Sequence, residues 1–364
     1  MSSQAAIRVA AVSAQAARAP AFRVRALIPA EELASHGVEI VPFALFSPRL
    51  DERFHTGNAV AGGRALLAAR RGLARRMREA IDDCETTLVQ RQVDILPCRR
   101  LERIAMGDRR LVLDVDDAVW LDAAPQAGGR RMAFLKGTAG KIGWLAARAD
   151  HVIAGNDYLA EWLENVASRV SVVPSLVATE HVQLRRHAQT DRVTLGWIGS
   201  PSTSRYLANL RPVLSRLVAA APDITWELRS IGAVAPDVPG IVNRSSAWDE
   251  AAERDLLAQM DIGLMPLPDD PWTRGKCAYK ALVYMSAGIP VVADDVGVTA
   301  SVVGPGLGGF VVRTQADWIP ALVELARDPE LRARMGIAGR RRVEADYSTR
   351  VWGPRLAAML RGDG

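Results

Sequence analysis

Short runs of small and β-branched apolar residues alternate along the whole chain with longer segments of helical periodicity, and this alternation limits the possible folds most strongly. Apolar runs of about four to eight residues are typical of strands buried on both faces, and the segments between them are long enough for crossover helices. The pattern therefore predicts an α/β protein built from βαβ units with parallel sheets. In the first half, strands are predicted at 7–13, 38–43, 93–98, 110–116, 151–155 and 170–175.

The same pattern restarts near residue 190, which predicts two similar domains in the 364-residue chain. In the second half, strands are predicted at 193–200, 224–232, 241–248, 261–267, 289–295 and 308–312. The segment between the halves is polar and poorly periodic, as expected of a linker. The predicted organisation is an N-terminal domain at 1–175, a linker at 176–192, a C-terminal domain at 193–346 and a final helix within 347–364.

Composition narrows the class of protein. The chain is 49% apolar and 24% charged, which is typical of a soluble globular protein. Its net charge of +5 is spread over 46 basic and 41 acidic residues, which disfavours a dedicated nucleic-acid binder. The three cysteines lack CxxC spacing and no apolar stretch reaches the roughly 18 residues of a membrane span, so we expect a cytoplasmic protein with free thiols. Peripheral membrane contact remains compatible with this expectation.

The histidines and the sequence motifs disfavour two other classes of site. The five histidines are dispersed, no HExxH motif occurs, and no acidic cluster has ligand spacing, so no metal site is expected. A GxSxG nucleophile elbow is also absent from the sequence, which disfavours a serine hydrolase.

In open parallel sheets, ligands bind outside the carboxyl ends of the strands, so residues directly after each strand are the first candidates. The segment GWIGSPSTSRYL runs from a strand through Gly199, Ser200 and Ser202 to a helix near Arg205. Small residues, hydroxyls and a helix N-terminus together favour phosphate binding, with Arg205 adding charge. An ordinary strand-to-helix turn with a Ser/Thr cap explains the same residues, and both interpretations stay open.

Lysine is scarce, because 42 of the 46 basic residues are arginine. Lys276 and Lys280 nevertheless stand four residues apart in RGKCAYKALVYMSAGIPVV, in the first turn of a helix predicted at about 277–287. Two like charges at the positive end of the helix dipole repel each other unless an anion offsets them, which indicates a phosphate. The alternative is two exposed lysines on a surface helix. Lys136 and Lys141 are interpreted as residues of a solvated loop. The alternative is that they bind an anionic acceptor or a membrane surface.

Two further segments carry polar groups suited to a sugar or an acceptor. In PLPDDPWTRG, Asp270 and Trp272 occupy a loop punctuated by prolines, where they can bind and shield sugar hydroxyls. In LVLDVDDAVW, Asp116 and Asp117 end a buried strand. They can orient an acceptor hydroxyl or act as a base, or one can cap a helix, and the sequence leaves these roles open.

The segments GWIGSPSTSRYLANL, DIGLMPLPDDPWTRGKCAYKALVYMSAGIPVVADDVG and LRARMGIAGRRRVEADYS resemble the retaining glycosyltransferases of family 4. The resemblance covers nearly all of 190–350, and it is fainter in LVLDVDDAVW and ADHVIAGNDYLAEWL of the first half. It implies the GT-B fold, in which two Rossmann-like domains face each other across a cleft. It also implies a nucleotide-diphospho-sugar bound by the C-terminal domain, an acceptor bound by the N-terminal domain, and retaining transfer with no essential metal or further cofactor.

At two positions this sequence departs from the family pattern. Many members have two glutamates separated by seven residues, which touch the donor sugar and its ribose, but the matching positions here hold Gly275 and Val283. A branch with a K…YK pattern resembles this chain more closely, and there Lys276 and Lys280 would neutralise the departing diphosphate. The resemblance further places Trp248 near the nucleotide base and makes the helix around Trp352 return to the first domain.

The predicted site combines both lines of reasoning. The predicted catalytic residues are Lys276, Lys280, Arg205, Asp116 and Asp117. The predicted donor-binding residues are Gly199, Ser200, Ser202, Trp248, Asp270, Trp272, Gly275 and Cys277. The predicted function is transfer of a sugar from a nucleotide-diphospho-sugar to an acceptor hydroxyl on a small molecule, a glycan or a lipid-linked molecule. The alternatives are a catalytically impaired nucleotide-sugar-binding or interaction protein, and a sugar-nucleotide epimerase.

Overall fold

The computed structural model describes residues 6–47, 59–121 and 138–363, which form two compact α/β units. The first unit comprises Met1–Leu176 together with two later segments, Gly275–Cys277 and Thr349–Gly364. The second unit comprises Val177–Arg274 and Ala278–Ser348. The chain therefore leaves the second unit for three residues at Gly275 and again for its last helix.

The first unit contains a six-stranded parallel sheet in the order β2-β1-β3-β4-β5-β6. Its strands are β1 Ile7–Ser13, β2 Val38–Ala44, β3 Thr86–Gln90, β4 Arg110–Val115, β5 His151–Ala154 and β6 Val170–Val172. Its helices are α1 Pro20–Phe22, which continues as a π-helical turn over Arg23–Leu27, then α2 Ala30–Ser35, α3 Ala59–Ala80, α4 Arg100–Met106, α5 Thr138–Ala146, α6 Asp157–Glu164 and, at the end of the chain, α15 Thr349–Arg361. Short 3-10 turns span Ile81–Asp83 and Val119–Leu121.

The second unit repeats this organisation with a six-stranded parallel sheet in the order β12-β11-β10-β7-β8-β9. Its strands are β7 Arg192–Ile198, β8 Thr225–Ile231, β9 Ile241–Ser246, β10 Ile262–Met265, β11 Val291–Asp294 and β12 Gly309–Val312. Its helices are α7 Ser204–Ala208, which follows a 3-10 turn at Pro201–Thr203, then α8 Arg211–Ala220, α9 Glu250–Gln259, α10 Pro271–Arg274, α11 Tyr279–Ser286, α12 Thr299–Val303, α13 Trp318–Arg327 and α14 Pro329–Asp346. The two parallel sheets confirm the predicted α/β class.

Local sequence explains where several of these helices begin and end. Asn156, Asp249 and Asp328 each accept a backbone N–H bond at a helix start, and this satisfies donors that the helix itself leaves unpaired. Gly288 has a φ of +70° and follows Ala287, the C-cap residue of α11, so the prediction that this glycine ends the helix is confirmed. The indole of Trp197 is 1% exposed and packs in the core of the second unit.

One predicted strand is wrong. Residues 93–98 form bends and irregular structure, and the strand lies earlier, at Thr86–Gln90. The true strand reads as polar, but its hydroxyls are satisfied inside the first unit: Thr86 Oγ1 donates to the carbonyl of Leu360 at 2.9 Å, and Thr87 Oγ1 donates to that of Ala105 at 2.7 Å. Tertiary partners therefore allow a segment with polar side chains to be buried, which the sequence alone does not reveal.

The two lysines assigned to a solvated loop have different outcomes. Lys136 lies outside the described residues. Lys141 lies in α5 and is buried, with its Nζ 2.8 Å from Oε1 of Glu102 and 2.7 Å from the carbonyl oxygen of Asp94. The solvated-loop interpretation is wrong for Lys141, because its ammonium anchors the segment that follows β3.

Candidate functional site

The loop after β7 is built around a close backbone contact in the second unit. A Cβ atom on Gly199 would lie 2.0 Å from Cη2 of Trp197, so only glycine fits there. Gly232, which follows β8 with a φ of +82°, is equally confined, since a Cβ on it would lie 2.0 Å from the carbonyl oxygen of Gly199. The carboxyl ends of β7 and β8 thus meet through backbone atoms with no side chain between them, a geometry suited to close approach by a phosphate.

The serines after Gly199 form a helix cap. The backbone N–H of Ser200 donates to Oγ1 of Thr203 at 3.1 Å, and the two form a capping box around the 3-10 turn. The Ser200 hydroxyl lies 2.8 Å from the Ser202 hydroxyl, at the exposed side of the turn. The predicted Ser/Thr cap is therefore present, and phosphate binding by these serines stays a prediction.

Arg205 and Trp248 flank this loop. Arg205 donates from Nη2 to the Tyr206 hydroxyl at 2.7 Å, while its Nε is buried and has no hydrogen-bond partner among the described residues. Trp248 donates from Nε1 to Oε2 of Glu253 at 2.7 Å, and its Cβ would lie 3.5 Å from a Cβ on Gly232. Trp248 thus lies beside the glycine contact, and its stacking on a nucleotide base stays a prediction.

Lys280 is the second residue of α11 and is half-buried. Its Nζ lies 5.7 Å from the ring centroid of Trp197, the indole that also confines Gly199. One turn later, the Tyr284 hydroxyl accepts the backbone N–H of Ile198 at 2.8 Å, which ties α11 to the end of β7. Burial raises the pKa of Tyr284, so this phenol stays protonated at neutral pH. Lys280 and the Gly199 loop therefore contact the same indole.

Lys276 occupies a different position from the predicted one. Helix α11 begins only at Tyr279, because Ala278 adopts the left-handed conformation with a φ of +50°. Lys276 precedes the helix and belongs to the Gly275–Cys277 segment of the first unit, where its carbonyl accepts from Nδ2 of Asn156 at 3.2 Å. The prediction that both lysines share the first turn of one helix is wrong, and the dipole argument applies to Lys280 alone.

The residues on either side of Lys276 are packed without spare room in the first unit. A Cβ on Gly275 would lie 2.8 Å from the Cβ of Ala118, so the glutamate found in many family 4 enzymes does not fit here without movement. The Cys277 thiol is buried, donates to the Asp116 carbonyl at 3.3 Å, and would lie 2.4 Å from a Cβ on Gly155. Burial raises the pKa of this thiol, so Cys277 acts here as a small packing residue. Donor binding by Gly275 and Cys277 stays a prediction.

Asp116 and Asp117 directly follow β4, as predicted, and are bound by side chains from two segments. Arg91 bridges them, with Nε 2.5 Å from Oδ1 of Asp116 and Nη2 2.6 Å from Oδ2 of Asp117. Lys276 Nζ lies 3.3 Å from the other Asp117 oxygen, and Gln90 Nε2 donates to Asp116 at 2.9 Å. Burial alone would raise the pKa of Asp116, but the charge and hydrogen bond of Arg91, together with the charge of Arg25 and a backbone hydrogen bond, outweigh it and lower this pKa. Both carboxylates thus engage side chains.

The remaining predicted site residues lie in the second unit. Asp270 accepts the backbone N–H of Thr273 at 2.8 Å and so caps the short helix α10, on which Trp272 is half-buried. Their contacts with a sugar stay predictions. Val283, at the second position of the missing glutamate pair, is buried within α11.

Several residues around the site were not singled out from the sequence. Arg91, Gly232 and Asn156 closely follow strands β3, β8 and β5, so the same rule that selected Asp116 applies to them. Arg91 was missed because β3 was placed at the wrong residues. Trp197 and Tyr284 carried no local signal, since their contacts with Lys280, Gly199 and Ile198 join distant segments.

The part of the chain that the structure describes contains neither a preformed metal site nor a helix suited to span a membrane. There, no group of three or more His, Cys, Asp or Glu side chains is placed to hold a metal ion. Among the helices of these same ranges, none has the length and apolar character needed to cross a membrane.

Comparison with known proteins identifies the fold. No family model matches the chain. A curated relative, the GDP-mannose-dependent monoacylated alpha-(1-6)-phosphatidylinositol monomannoside mannosyltransferase of Corynebacterium glutamicum, is 36% identical over 116 residues. This match covers 30% of the chain and 29% of the relative, so the chain spans less than a third of the relative's length.

Two solved structures match almost the whole chain. Sucrose-phosphate synthase from Thermosynechococcus elongatus has a TM-score of 0.69 at 13% identity, covering 98% of each chain. HepE from Anabaena, solved in complex with UDP-glucose, has a TM-score of 0.67 at 13% identity, covering 98% of this chain and 100% of HepE. The chain therefore has the GT-B fold of glycosyltransferases, as the sequence predicted.

Proposed function

We propose that this chain is a glycosyltransferase that moves a sugar from a nucleotide-diphospho-sugar to an acceptor hydroxyl. The observation that carries the proposal lies in the second unit. There, the backbones of Gly199 and Gly232 meet with no side chain between them, and the Lys280 ammonium lies over the Trp197 indole that confines Gly199. This combination suits a diphosphate, because backbone groups can approach its oxygens while an ammonium balances its charge. The local 36% identity to a GDP-mannose-dependent mannosyltransferase supports the same activity.

In the proposed reaction, the acceptor oxygen forms a bond to the anomeric carbon while the bond from that carbon to the β-phosphate oxygen breaks. The hydroxyl proton passes to solvent, and the nucleoside diphosphate leaves with one additional negative charge. Lys276, Lys280 and Arg205 would stabilise this charge, which is greatest in the transition state and afterwards. Asp116 and Asp117 would orient the acceptor hydroxyl rather than bind the donor, because both already carry the counter-charges of Arg91 and Lys276.

The finer points of the activity rest on the resemblance to family 4. They are retention of anomeric configuration, transfer without an essential metal, donor binding by the second unit, acceptor binding by the first, and a cytoplasmic location. Metal independence is checked by adding EDTA, which should leave turnover unchanged if side-chain cations alone balance the leaving group. The acceptor is a small molecule, a glycan or a lipid-linked molecule, and the relative's phosphatidylinositol-mannoside name makes a glycolipid the first to test.

One observation favours a second function. Gly275 and Val283 replace both glutamates of the family pattern. A glutamate at 275 does not fit without movement of its neighbours, and Val283 is buried. The alternative is therefore a protein that binds nucleotide-sugars without transferring them.

The test uses purified protein and a panel of donors that includes GDP-mannose and UDP-glucose. Binding is measured as an increase in melting temperature with ligand concentration, and catalysis as release of nucleoside diphosphate with and without cell-extract acceptors. We expect at least one donor to stabilise the protein and to release its nucleoside diphosphate. Stabilisation without release would support the binding protein. Absence of both stabilisation and release would contradict both functions.

A further inference from the structure

Arg91 holds together two carboxylates that would otherwise repel each other in the first unit. Its guanidinium reaches Asp116 through Nε and Asp117 through Nη2, at 2.5 and 2.6 Å. A planar fork with several fixed donors can bridge two carboxylates in this way, whereas an ammonium cannot match both geometries. The Arg91 side chain is 16% exposed, and those of Asp116 and Asp117 are 12% and 17% exposed, so solvent screens these contacts only partly.

The backbone of Arg91 is strained, which indicates that the surrounding structure holds this residue in place. Among the described residues, only Arg91 and Ala278 have a positive φ without being glycine, at +60° and +50°. A left-handed conformation costs a non-glycine residue about 1–2 kcal/mol, and such strain persists where the surroundings impose it. The backbone N–H of Arg91 donates to the Asp114 carbonyl at 2.8 Å, which fixes the turn directly after β3. The side chain of this strained residue is bound to Asp117, the carboxylate that also pairs with Lys276.

Arg91 acts on Lys276 through Asp117. Arg91 takes Oδ2 of Asp117 and leaves Oδ1 directed to the Lys276 ammonium at 3.3 Å. The backbone of Lys276 is held separately by Asn156, at 3.2 Å from Nδ2 to the carbonyl oxygen. With the main chain fixed and the carboxylate fixed, the ammonium has a defined position before any ligand arrives, which is what electrostatic stabilisation of a leaving group requires.

We infer that Arg91 is a positioning residue: it bridges Asp116 and Asp117 and, through Asp117, fixes the Lys276 ammonium for the departing diphosphate. The consequence for catalysis rests on the proposed function, whereas the effect on Lys276 does not. This role explains why the chain uses arginine at 91 and lysine at 276, since the first must bridge two acceptors and the second must reach one anion from a confined segment.

Removing Arg91 should also change how Asp116 titrates. Arg91 lowers the pKa of Asp116 against the effect of burial, so its loss leaves a buried carboxylate whose pKa moves upward. The other charged or titratable groups acting on this pair are Arg25, Asp114, Lys276 and Cys277. These groups remain in the variant, so the direction of the change reports on Arg91.

The test compares Arg91→Asn with Arg91→Lys and a matched control, Arg70→Asn. Asparagine tolerates the left-handed conformation, so the first variant removes the charge without adding strain. Arg70 is an equally buried arginine, 17% exposed, with Nε 2.7 Å from Oδ2 of Asp94 in the same unit. Arg70 therefore controls for the loss of a partly buried arginine–aspartate pair elsewhere.

The first readout does not depend on activity. The lysines are reductively methylated with ¹³C-formaldehyde, and the Lys276 signal, assigned by its absence from Lys276→Arg, is followed by NMR as pH is lowered. In Arg91→Asn, we expect the inflection of this signal to lie about one pH unit or more above that of wild type. Arg91→Lys should give an intermediate value, and Arg70→Asn should match wild type. If Arg91→Asn does not fold, the Arg91→Lys titration decides the question.

The second readout is the rate of transfer. If the wild type transfers a sugar, Arg91→Asn should lower kcat by about 10- to 100-fold, with a smaller change in donor KM and an acid limb shifted to higher pH. Lysine at 91 should restore part of this loss. An unchanged Lys276 titration in Arg91→Asn and Arg91→Lys, or the same change in Arg70→Asn, would overturn the inference. An inactive wild type with a shifted titration would contradict only the proposed function.

Discussion

The described lysines occupy confined positions, in contrast to the many exposed arginines of this chain. The side chains of Lys141 and Lys276 are 1% and 19% exposed, and Lys280 is half-buried against Trp197. Each ammonium therefore lies where a compact charge on a flexible stem can enter. The alternative that Lys276 and Lys280 are exposed on a surface helix does not describe this structure. Lys141 is a structural residue, however, so scarcity alone did not distinguish a buried ion pair from a ligand-binding cation.

Replacing Lys280 separates charge from packing. Lys280→Met keeps most of the aliphatic stem against the Trp197 indole and removes the ammonium. We expect kcat to fall by about 100-fold, since one electrostatic contact to the developing charge is lost. The melting temperature should change little, because a cation–π contact at a partly exposed site contributes only about 0.5–1 kcal/mol. Steady-state kinetics and thermal unfolding of the same preparation measure both effects.

Arg216→Met is the control for Lys280→Met. Arg216 is an exposed cation on α8 of the same unit, so its replacement changes the net charge equally without touching the Gly199 loop. It should leave both kcat and melting temperature near their wild-type values. Activity and melting temperature falling in parallel in Lys280→Met would instead give Lys280 a structural role.

At the scale of elements, the strands were predictable wherever apolar residues alone decide burial. Strands β4 and β7 lie within one or two residues of their predicted bounds, because their runs of Val, Leu and Ile leave few alternatives. Strand β3 was missed, since its threonines and glutamine are buried only through bonds to other segments. That error hid Arg91, which shows how one misplaced strand removes a site residue from view.

The start of α11 was the other element-scale error that affected the site. Its C-terminal end was predictable because glycine readily adopts the positive φ that terminates a helix, as Gly288 does. Its start depends on Ala278, which adopts a left-handed conformation that alanine rarely takes. The sequence gives no sign of this turn. Its consequence is that Lys276 joins the first unit while Lys280 stays in the second.

A buried histidine on β5 predicts how the first unit responds to acid. His151 is 1% exposed, and its Nε2 lies 2.9 Å from the Ser171 hydroxyl on β6. Burial, followed by the charges of Arg169 and Arg110, lowers the pKa of His151 to about 4. In the unfolded chain the pKa is about 6.5, so between these values the unfolded state binds the extra proton. The free energy of unfolding should therefore fall as pH is lowered from about 6.5 towards 4.

The measurement is urea unfolding at several pH values across this window. The free energy of unfolding of His151→Asn should depend less steeply on pH than that of the wild type, by up to about 1.4 kcal/mol per pH unit. Part of the dependence should remain, because burial also lowers the pKa of His187 in the second unit. Exposed His181→Asn serves as control and should follow the wild type. Parallel curves for His151→Asn and the wild type would show that His151 takes up protons similarly in both states.

At the scale of the whole molecule, the repeated βαβ pattern was enough to predict two α/β halves, each with a parallel sheet. It could not predict that Gly275–Cys277 belongs to the first unit, because the residues on both sides of this segment belong to the second. The contacts responsible involve Ala118, Asn156 and Asp117, more than a hundred residues away in sequence. Periodicity describes local structure and contains no information about such contacts.

The most direct test of the proposed diphosphate site uses the scarcity of lysine. With four lysines in the chain, ¹³C-methylated protein gives few lysine signals, and variants Lys276→Arg and Lys280→Arg assign two of them. GDP and UDP are titrated in turn, with guanosine and uridine as controls without phosphate, and binding is checked independently by melting temperature. We predict that the signals of Lys276 and Lys280 shift to saturation with a nucleoside diphosphate, while the buried Lys141 signal and the nucleoside controls show no change. Stabilisation of the protein by GDP or UDP with both signals unmoved would contradict the account.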